Sequence, residues 1–150
     1  MYSAVSAAVG ALSGELHGGA NFEVMKMLLD IKDEKNVESW VREKIESGDR
    51  IMGMGHAVYK TVDPRSMVLK ELSKKLSKKI GLPWFDITRK IEETTAEIMK
   101  NRKEKDIFPN VDLYSASVYH MLDIPMDLNT PIFAISRVSG WAAHVIEEKF

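Results

Sequence analysis

At 150 residues, with 29% charged residues and a net charge of −1, the chain suits one domain with a real core. The even charge balance argues against a general nucleic-acid binder or a partner of anionic membranes. Cysteine is absent, which excludes disulfides and thiolate catalysis and suits an intracellular setting. Residues 2–12 are small and apolar (Ala4, Ala7, Ala8 and Ala11 with Val5, Val9 and Leu12), the pattern of a helix packed closely on another. Phe22, Met25, Leu28 and Leu29 continue a helical period after Gly18-Gly19. Val37, Trp40, Val41 and Ile45 do the same before Gly48 ends the segment.

The next start is strongly marked, because Asp63 can cap and Pro64 fits the first helical position. Val68, Leu69, Leu72 and Leu76 are the expected apolar face of this helix. Lys74, Lys75, Lys78 and Lys79 suit the negative end of its dipole, and Gly81 terminates it. A helix is expected over 84–101 with Ile87, Ile91 and Ile98 on one side, and another from about Asp112 to Leu122. The last is expected to start with Thr130 as cap and Pro131 in the first turn, and to bury Ile132, Ile135, Val138, Trp141 and Val145. No segment alternates long enough to demand a strand, so the class is all-α. No apolar run approaches the ~20 residues that span a bilayer, and the N-terminus lacks the basic start of a signal peptide. A chain without Cys and Gln but rich in Lys and Glu leans toward a thermophile.

Both ends are unusually apolar. Residues 1–12 offer small apolar side chains almost all round, and the closing helix ends in Val145, Ile146 and Phe150 with little polar tail. Both are expected to pack on something outside the chain or on a second copy. The plainer alternative is that they pack on each other.

Three islands interrupt the helical periods: Leu16-His17-Gly18-Gly19-Ala20-Asn21, Gly53-Met54-Gly55-His56-Ala57-Val58-Tyr59-Lys60 and Phe108-Pro109-Asn110-Val111-Asp112. Each sets an ionisable side chain beside residues that bend the backbone. Two imidazoles and a carboxylate can trade protons near neutral pH. His17 could donate to an oxygen that gains charge, or simply help cap a helix. The loop holding Gly53 and Gly55 could offer backbone N–H groups to an anion or an adenine ring, although Gly-x-Gly alone is weak. Asp112 stands where capping is the commonest role of aspartate. Arg65 and Arg137 could each grip a carboxylate two-for-two, and an internal salt bridge is the equal alternative. His120 and His144 read as surface or packing residues. No spacing suggests a metal or a Ser-His-acid set.

The order and spacing of four motifs closely resemble the citrate synthase family, which includes the 2-methylcitrate synthases. They are the first island, Gly55-His56-Ala57-Val58-Tyr59-Lys60 with Asp63-Pro64-Arg65, the third island, and Thr130-Pro131-Ile132-Phe133-Ala134-Ile135-Ser136-Arg137. The resemblance covers essentially the whole chain. It implies a Claisen-type condensation of acetyl-CoA with oxaloacetate to citrate and CoA, a tricarboxylic acid cycle reaction. His17 matches the histidine that hydrogen-bonds the thioester carbonyl, and Asp112 the base that removes the methyl proton. His56 matches the histidine on the oxaloacetate keto oxygen, while Arg65 and Arg137 match arginines on its carboxylates. Met52, Gly53, Met54 and Gly55 match the segment around the CoA adenine, and Lys60 a basic residue facing CoA phosphate.

The same resemblance implies a cytoplasmic homodimer with CoA as substrate and product, no tightly bound cofactor, no nucleic acid and no membrane. Residues 1–14 match part of a large-domain interface helix, 15–125 the small domain and 126–150 a helix returning to the large domain. Family chains are more than twice as long, so a large-domain segment and a following tail are expected to be missing. The chain alone is then expected to be inactive. A CoA- or nucleotide-binding module and a non-catalytic relative acting by association are the alternatives. Glu15 stands where the family commonly has proline, and Ala57 where many prokaryotic members carry arginine.

Overall fold

The structure of the protein is a computed structural model, described here for residues 1–13, 18–103 and 106–149. Its described residues form helices α1 (Tyr2–Leu12), α2 (Ala20–Ile31), α3 (Val37–Glu46), α4 (Pro64–Ile80), α5 (Trp84–Lys103), α6 (Val111–Met121) and α7 (Asn129–Lys149). Short 3-10 turns at Glu34–Asn36 and Met126–Leu128 lead into α3 and α7. No strand occurs among these residues, in line with the all-α expectation.

The apolar periods of the sequence account for most of the core. Val24, Met25, Leu28 and Ile31 of α2, Val37 and Val41 of α3, and Ile87 and Ile91 of α5 lie together with Leu113, Tyr114 and Ala116 of α6. Each fully buried aliphatic or aromatic side chain contributes roughly 1.5–3 kcal/mol. In the packing α2 lies on α6 and α3 on α5, and α4 makes its broadest contact with α6. A polar clamp joins α4, α5 and α6: the Tyr114 hydroxyl donates to Glu92, and Lys70 Nζ donates to the same carboxylate oxygen at 2.8 Å. Burial first, then Glu92, pushes the Tyr114 phenol well above its ordinary value, so it stays a donor.

Helix α4 begins and ends as its sequence demands. The Asp63 carboxylate accepts from Arg65 N at 3.0 Å, Pro64 takes the first turn, and Gly81 closes the helix in the left-handed region at φ 76°. Its inward face departs from the expectation. Val68 and Leu72 are 68% and 44% exposed, whereas Ser66, Ser73 and Ser77 are buried and Leu69 and Leu76 half-buried. The hydroxyls are satisfied where they are buried: Ser73 pairs with Ser117 at 3.0 Å, and Ser77 accepts from Phe85 N at 2.9 Å. Small side chains on both helices let the backbones approach, and paired hydroxyls remove the cost of burying them.

The start of α7 differs as well. The 3-10 turn runs straight into it at Asn129, so Thr130 lies inside the helix, and its hydroxyl donates to the Gly18 carbonyl. Helix α7 packs on α1 and only lightly on the rest. Ile132, Trp141 and Val145 are half-buried as a result, while Ile135 and Val138 are left 74% and 41% exposed. Their expected burial is not met, because α1 is too short and too small-chained to cover that face. The two ends do pack on each other, and both keep apolar surface in water.

Candidate active site

The second and third islands are zipped together across 55 residues of sequence. Gly55 N donates to Phe108 O at 2.7 Å, Asn110 N to Gly53 O at 2.9 Å, and Asn110 Nδ2 to Gly55 O at 2.8 Å. A single antiparallel bridge between Met54 and Pro109 results. Gly53 makes the close approach possible. Its φ is 81°, and a Cβ there would stand 2.8 Å from Leu113 Cα. Asn110 also caps α6 by accepting from Asp112 N at 2.9 Å. Asp112 is therefore not the capping residue, and its carboxylate belongs to the first turn of α6, where the helix dipole favours its charge.

His56 is anchored by its own loop. Its Nδ1 accepts from Val58 N at 3.0 Å and Tyr59 N at 3.1 Å, which places the ring proton on Nε2. The Tyr59 ring leans on it at 4.5 Å between centroids. Arg65 realises the internal-pair alternative: Nε and Nη2 hold both oxygens of buried Asp63 at 3.0 and 2.8 Å. Burial alone would raise the Asp63 carboxyl, but the hydrogen bonds and charge of Arg65 outweigh it and hold it below the ordinary range. Arg65 is pushed above its usual value first by the hydrogen bonds to Asp63, with the charge of Asp112 among the smaller contributors. The pairing fixes the guanidinium in place while leaving Nη1 uncommitted to Asp63.

His56, Arg65, Asp112 and Arg137 meet on one open cleft of ≈ 610 Å³, together with Arg50, Tyr59 and Phe133. The Arg137 guanidinium lies 4.9 Å over the Phe133 ring, a cation–π contact, and no salt bridge to a described acid accompanies it. A neighbouring hollow of ≈ 340 Å³ is lined by Arg50, Met52, Gly53, Met54, Thr95 and Met99. Arg50, Ala20 and Asn110 border both spaces, so the two adjoin. Gly55 lines the larger cleft. Lys60 is exposed and lies on neither. His17 lies outside the described residues, as do Leu16 and Glu15; their neighbours Gly18 and Ala20 are described. Among the described residues, no set of three His, Asp or Glu side chains could hold a metal ion.

Sequence reading missed Arg50, which forms no hydrogen bond or ion pair with a described residue and reaches both spaces. A basic residue directly before Ile51-Met52-Gly53 was the available signal. Tyr59 and Phe133, both inside the quoted motifs, were given no role in the sequence, and the fold makes them walls of the cleft.

Comparison with known proteins shows the family. The model of the C-terminal domain of citrate synthase matches residues 1–149. Citrate synthase 2 of Bacillus subtilis is 51% identical over 149 residues, covering 99% of this chain and 38% of that protein. The 2-methylcitrate synthase of Shewanella oneidensis is 42% identical over 149 residues, covering 99% and 38%. A citrate synthase of the thermophilic archaeon Thermoplasma acidophilum, solved as a ternary complex with carboxymethyl coenzyme A and oxaloacetate, superposes with a TM-score of 0.87. It is 40% identical and covers 98% of this chain and 39% of that one. The chain thus spans well under half the length of the curated relatives it matches.

Proposed function

Since the chain belongs to the citrate synthase family, we propose that it supplies much of the site for condensing acetyl-CoA with oxaloacetate to citrate and CoA. The observation that carries this reading is the convergence of His56, Arg65, Asp112 and Arg137 on one cleft beside the loop of Met52, Gly53 and Met54.

The chemistry follows from these groups. A thioester methyl is a very weak acid, so a base alone does not suffice. Asp112 removes the proton while His17 donates to the carbonyl oxygen as it becomes an enolate. A positioned base contributes ~10²–10⁴-fold and one oxyanion donor ~10²–10³-fold. His56 presents Nε2–H to the keto oxygen of oxaloacetate, because its Nδ1 is already taken by two backbone N–H groups. That proton neutralises the alkoxide as the new C–C bond forms and gives citryl-CoA, whose thioester is then hydrolysed by one water to citrate and CoA. Two arginines answer two carboxylates. Arg65 is pre-set by Asp63, and Arg137 is carried on α7 from the opposite wall. CoA lies along the second hollow, its adenine against Met52, Gly53 and Met54 with Gly55 at the border of the larger cleft. Arg50 is the cation within reach of both spaces, and Lys60, exposed outside them, is left for a phosphate that extends beyond the hollow.

The domain reading follows the same proposal: 1–14 an interface helix, 15–125 the small domain, 126–150 a return to a large domain. It also makes the working unit a cytoplasmic homodimer. The test is a graft in which this chain replaces the matching segment of the Bacillus subtilis enzyme, with thiol release from acetyl-CoA and oxaloacetate as readout. Turnover is expected in the graft and not in the 150 residues alone. Asp112→Ala is expected to lower kcat of the graft by at least ~10²-fold; unchanged turnover would sink the base assignment. Comparing acetyl-CoA with propionyl-CoA in the same assay separates citrate from 2-methylcitrate synthesis.

A further inference from the structure

Helices α4 and α6 run side by side in the same direction and in one register. Lys70 Nζ lies 5.6 Å over the Tyr114 ring, Ser73 pairs with Ser117 at 3.0 Å, and Ser77 Oγ donates to Met121 Sδ at 3.3 Å. Each pair is separated by the same 44 residues, and both helices contribute positions i, i+3 and i+7. That is the pattern of a parallel two-helix seam. Arg65 and Asp112 stand in the first turns of these two helices, so the seam begins at the end that faces the cleft. Lys70 and Tyr114 form its first rung, about 7–8 Å along α4 from Arg65 and about 3 Å along α6 from Asp112. Helix α5 bolts this rung, because Glu92 Oε2 accepts from the Tyr114 hydroxyl and, at 2.8 Å, from Lys70 Nζ. Tyr114 is fully buried with its ring against Phe85, where a hydroxyl without its acceptor would be costly. The lower rungs are hydroxyls and a thioether, without charge. Lys70, Glu92 and Tyr114 line neither the cleft nor the adjoining hollow.

We propose that the Lys70–Glu92–Tyr114 rung sets the position of Asp112 relative to Arg65, which makes these three side chains positioning residues for the condensation. The inference rests on the reading of Asp112 as the base and Arg65 as a carboxylate grip. The base must take its proton from a methyl that lies within reach of the keto carbon the arginine helps to hold. A misplacement of about 1 Å between such groups can cost ~10²-fold in rate. The rung is the cross-link of the seam nearest both groups, and its charge-assisted bonds are its strongest.

Two measurements test it. In the ¹⁵N-labelled 150-residue chain, residual dipolar couplings of the backbone amides give the angle between α4 and α6 without substrate. Tyr114→Phe, which removes only the hydroxyl, is expected to change that angle. Ser77→Ala, two turns further along the seam, is expected to leave it. In the graft, Tyr114→Phe should lower kcat by about 10-fold and leave the KM for acetyl-CoA near its starting value, whereas Ser77→Ala should not change kcat. Glu92→Gln, which keeps an oxygen to accept from the phenol, should retain more of kcat than Glu92→Ala. An unchanged angle or an unchanged kcat in Tyr114→Phe overturns the proposal, and so does a fall in kcat that Ser77→Ala shares. If Tyr114→Phe does not fold, Lys70→Met takes its place in both measurements. Failure of the unaltered graft to turn over counts against the condensation reading instead, and the couplings then decide the rung by themselves.

Discussion

His56 illustrates how a side chain can be structural at one edge and chemical at the other. Nδ1 holds the backbone of Val58 and Tyr59, and Nε2–H remains for a ligand. Asparagine can place its Oδ1 near the position of Nδ1 without offering the Nε2 donor. In the grafted enzyme, His56→Asn is therefore expected to lower kcat by ~10²–10³-fold and leave the KM for acetyl-CoA near its starting value. A KM that rises as much as kcat falls would make His56 a loop support only. Asp63 carries a different consequence. Its carboxyl ionises more readily in the folded chain than at the ordinary value of 3.8. The stability it contributes is thus complete above that value and is lost as pH falls through the lower, folded one. Urea midpoints should drop more steeply below about pH 4 in the native sequence than in Asp63→Asn, which has no carboxyl to protonate. Parallel pH profiles would exclude Asp63 as a source of acid sensitivity.

At the level of elements, the two loop glycines separate two roles. Gly53 and Gly55 both have positive φ, 81° and 87°, but only at Gly53 would a Cβ run into the α6 backbone. Gly55→Ala should cost about 1–2 kcal/mol of conformational strain. Gly53→Ala adds overlap with Leu113 and should cost about 3 kcal/mol or more, with loss of CoA affinity measured by calorimetry. Equal losses in Tm and affinity would place both glycines in the turn alone. Helix α4 offers the converse comparison: Val68→Lys should change stability by less than about 0.5 kcal/mol, whereas Ser73→Leu should cost about 1–3 kcal/mol in denaturant titrations. That contrast also marks what the sequence could and could not express. Caps are local, so Asp63-Pro64 and Gly81 were legible residue by residue. The inward face of α4 was not, because hydropathy ranks Val68 above Ser73 without knowing that α6 presents Ser117 and Ala116. The Met54–Pro109 bridge was equally hidden, since its partners are distant in sequence. The islands that hold His56 and Asp112 were visible in the sequence, but their meeting on one cleft and the place of Arg50 between two hollows emerged only from the fold.

Over the whole molecule, the described residues divide into a well-filled bundle around α2, α3, α5 and α6 and a looser pair, α1 with α7. The core residues Val24, Met25, Leu28, Ile87, Ile91 and Leu113 are fully buried, while Tyr2, Ile135 and Ile146 are 90%, 74% and 51% exposed. Ile135, Val138 and Ile146 follow one another at helical spacing on one side of α7 and form an apolar stripe rather than scattered exposures. Such a stripe costs little in an assembly that covers it and favours association when it is bare. The 150 residues on their own should therefore self-associate, seen as a sedimentation coefficient that rises with concentration in the micromolar range. Ile135→Glu combined with Ile146→Glu should suppress that rise and leave the thermal midpoint within a few degrees, because neither side chain is part of the core. If the double variant instead unfolds, α7 contributes to the stability of the bundle, and the light contact between α7 and α2 carries more weight than its extent implies. If it stays folded and still associates, the contact lies elsewhere. The exposed face of α4, with Met67, Val68 and Leu72, is then the surface to alter next.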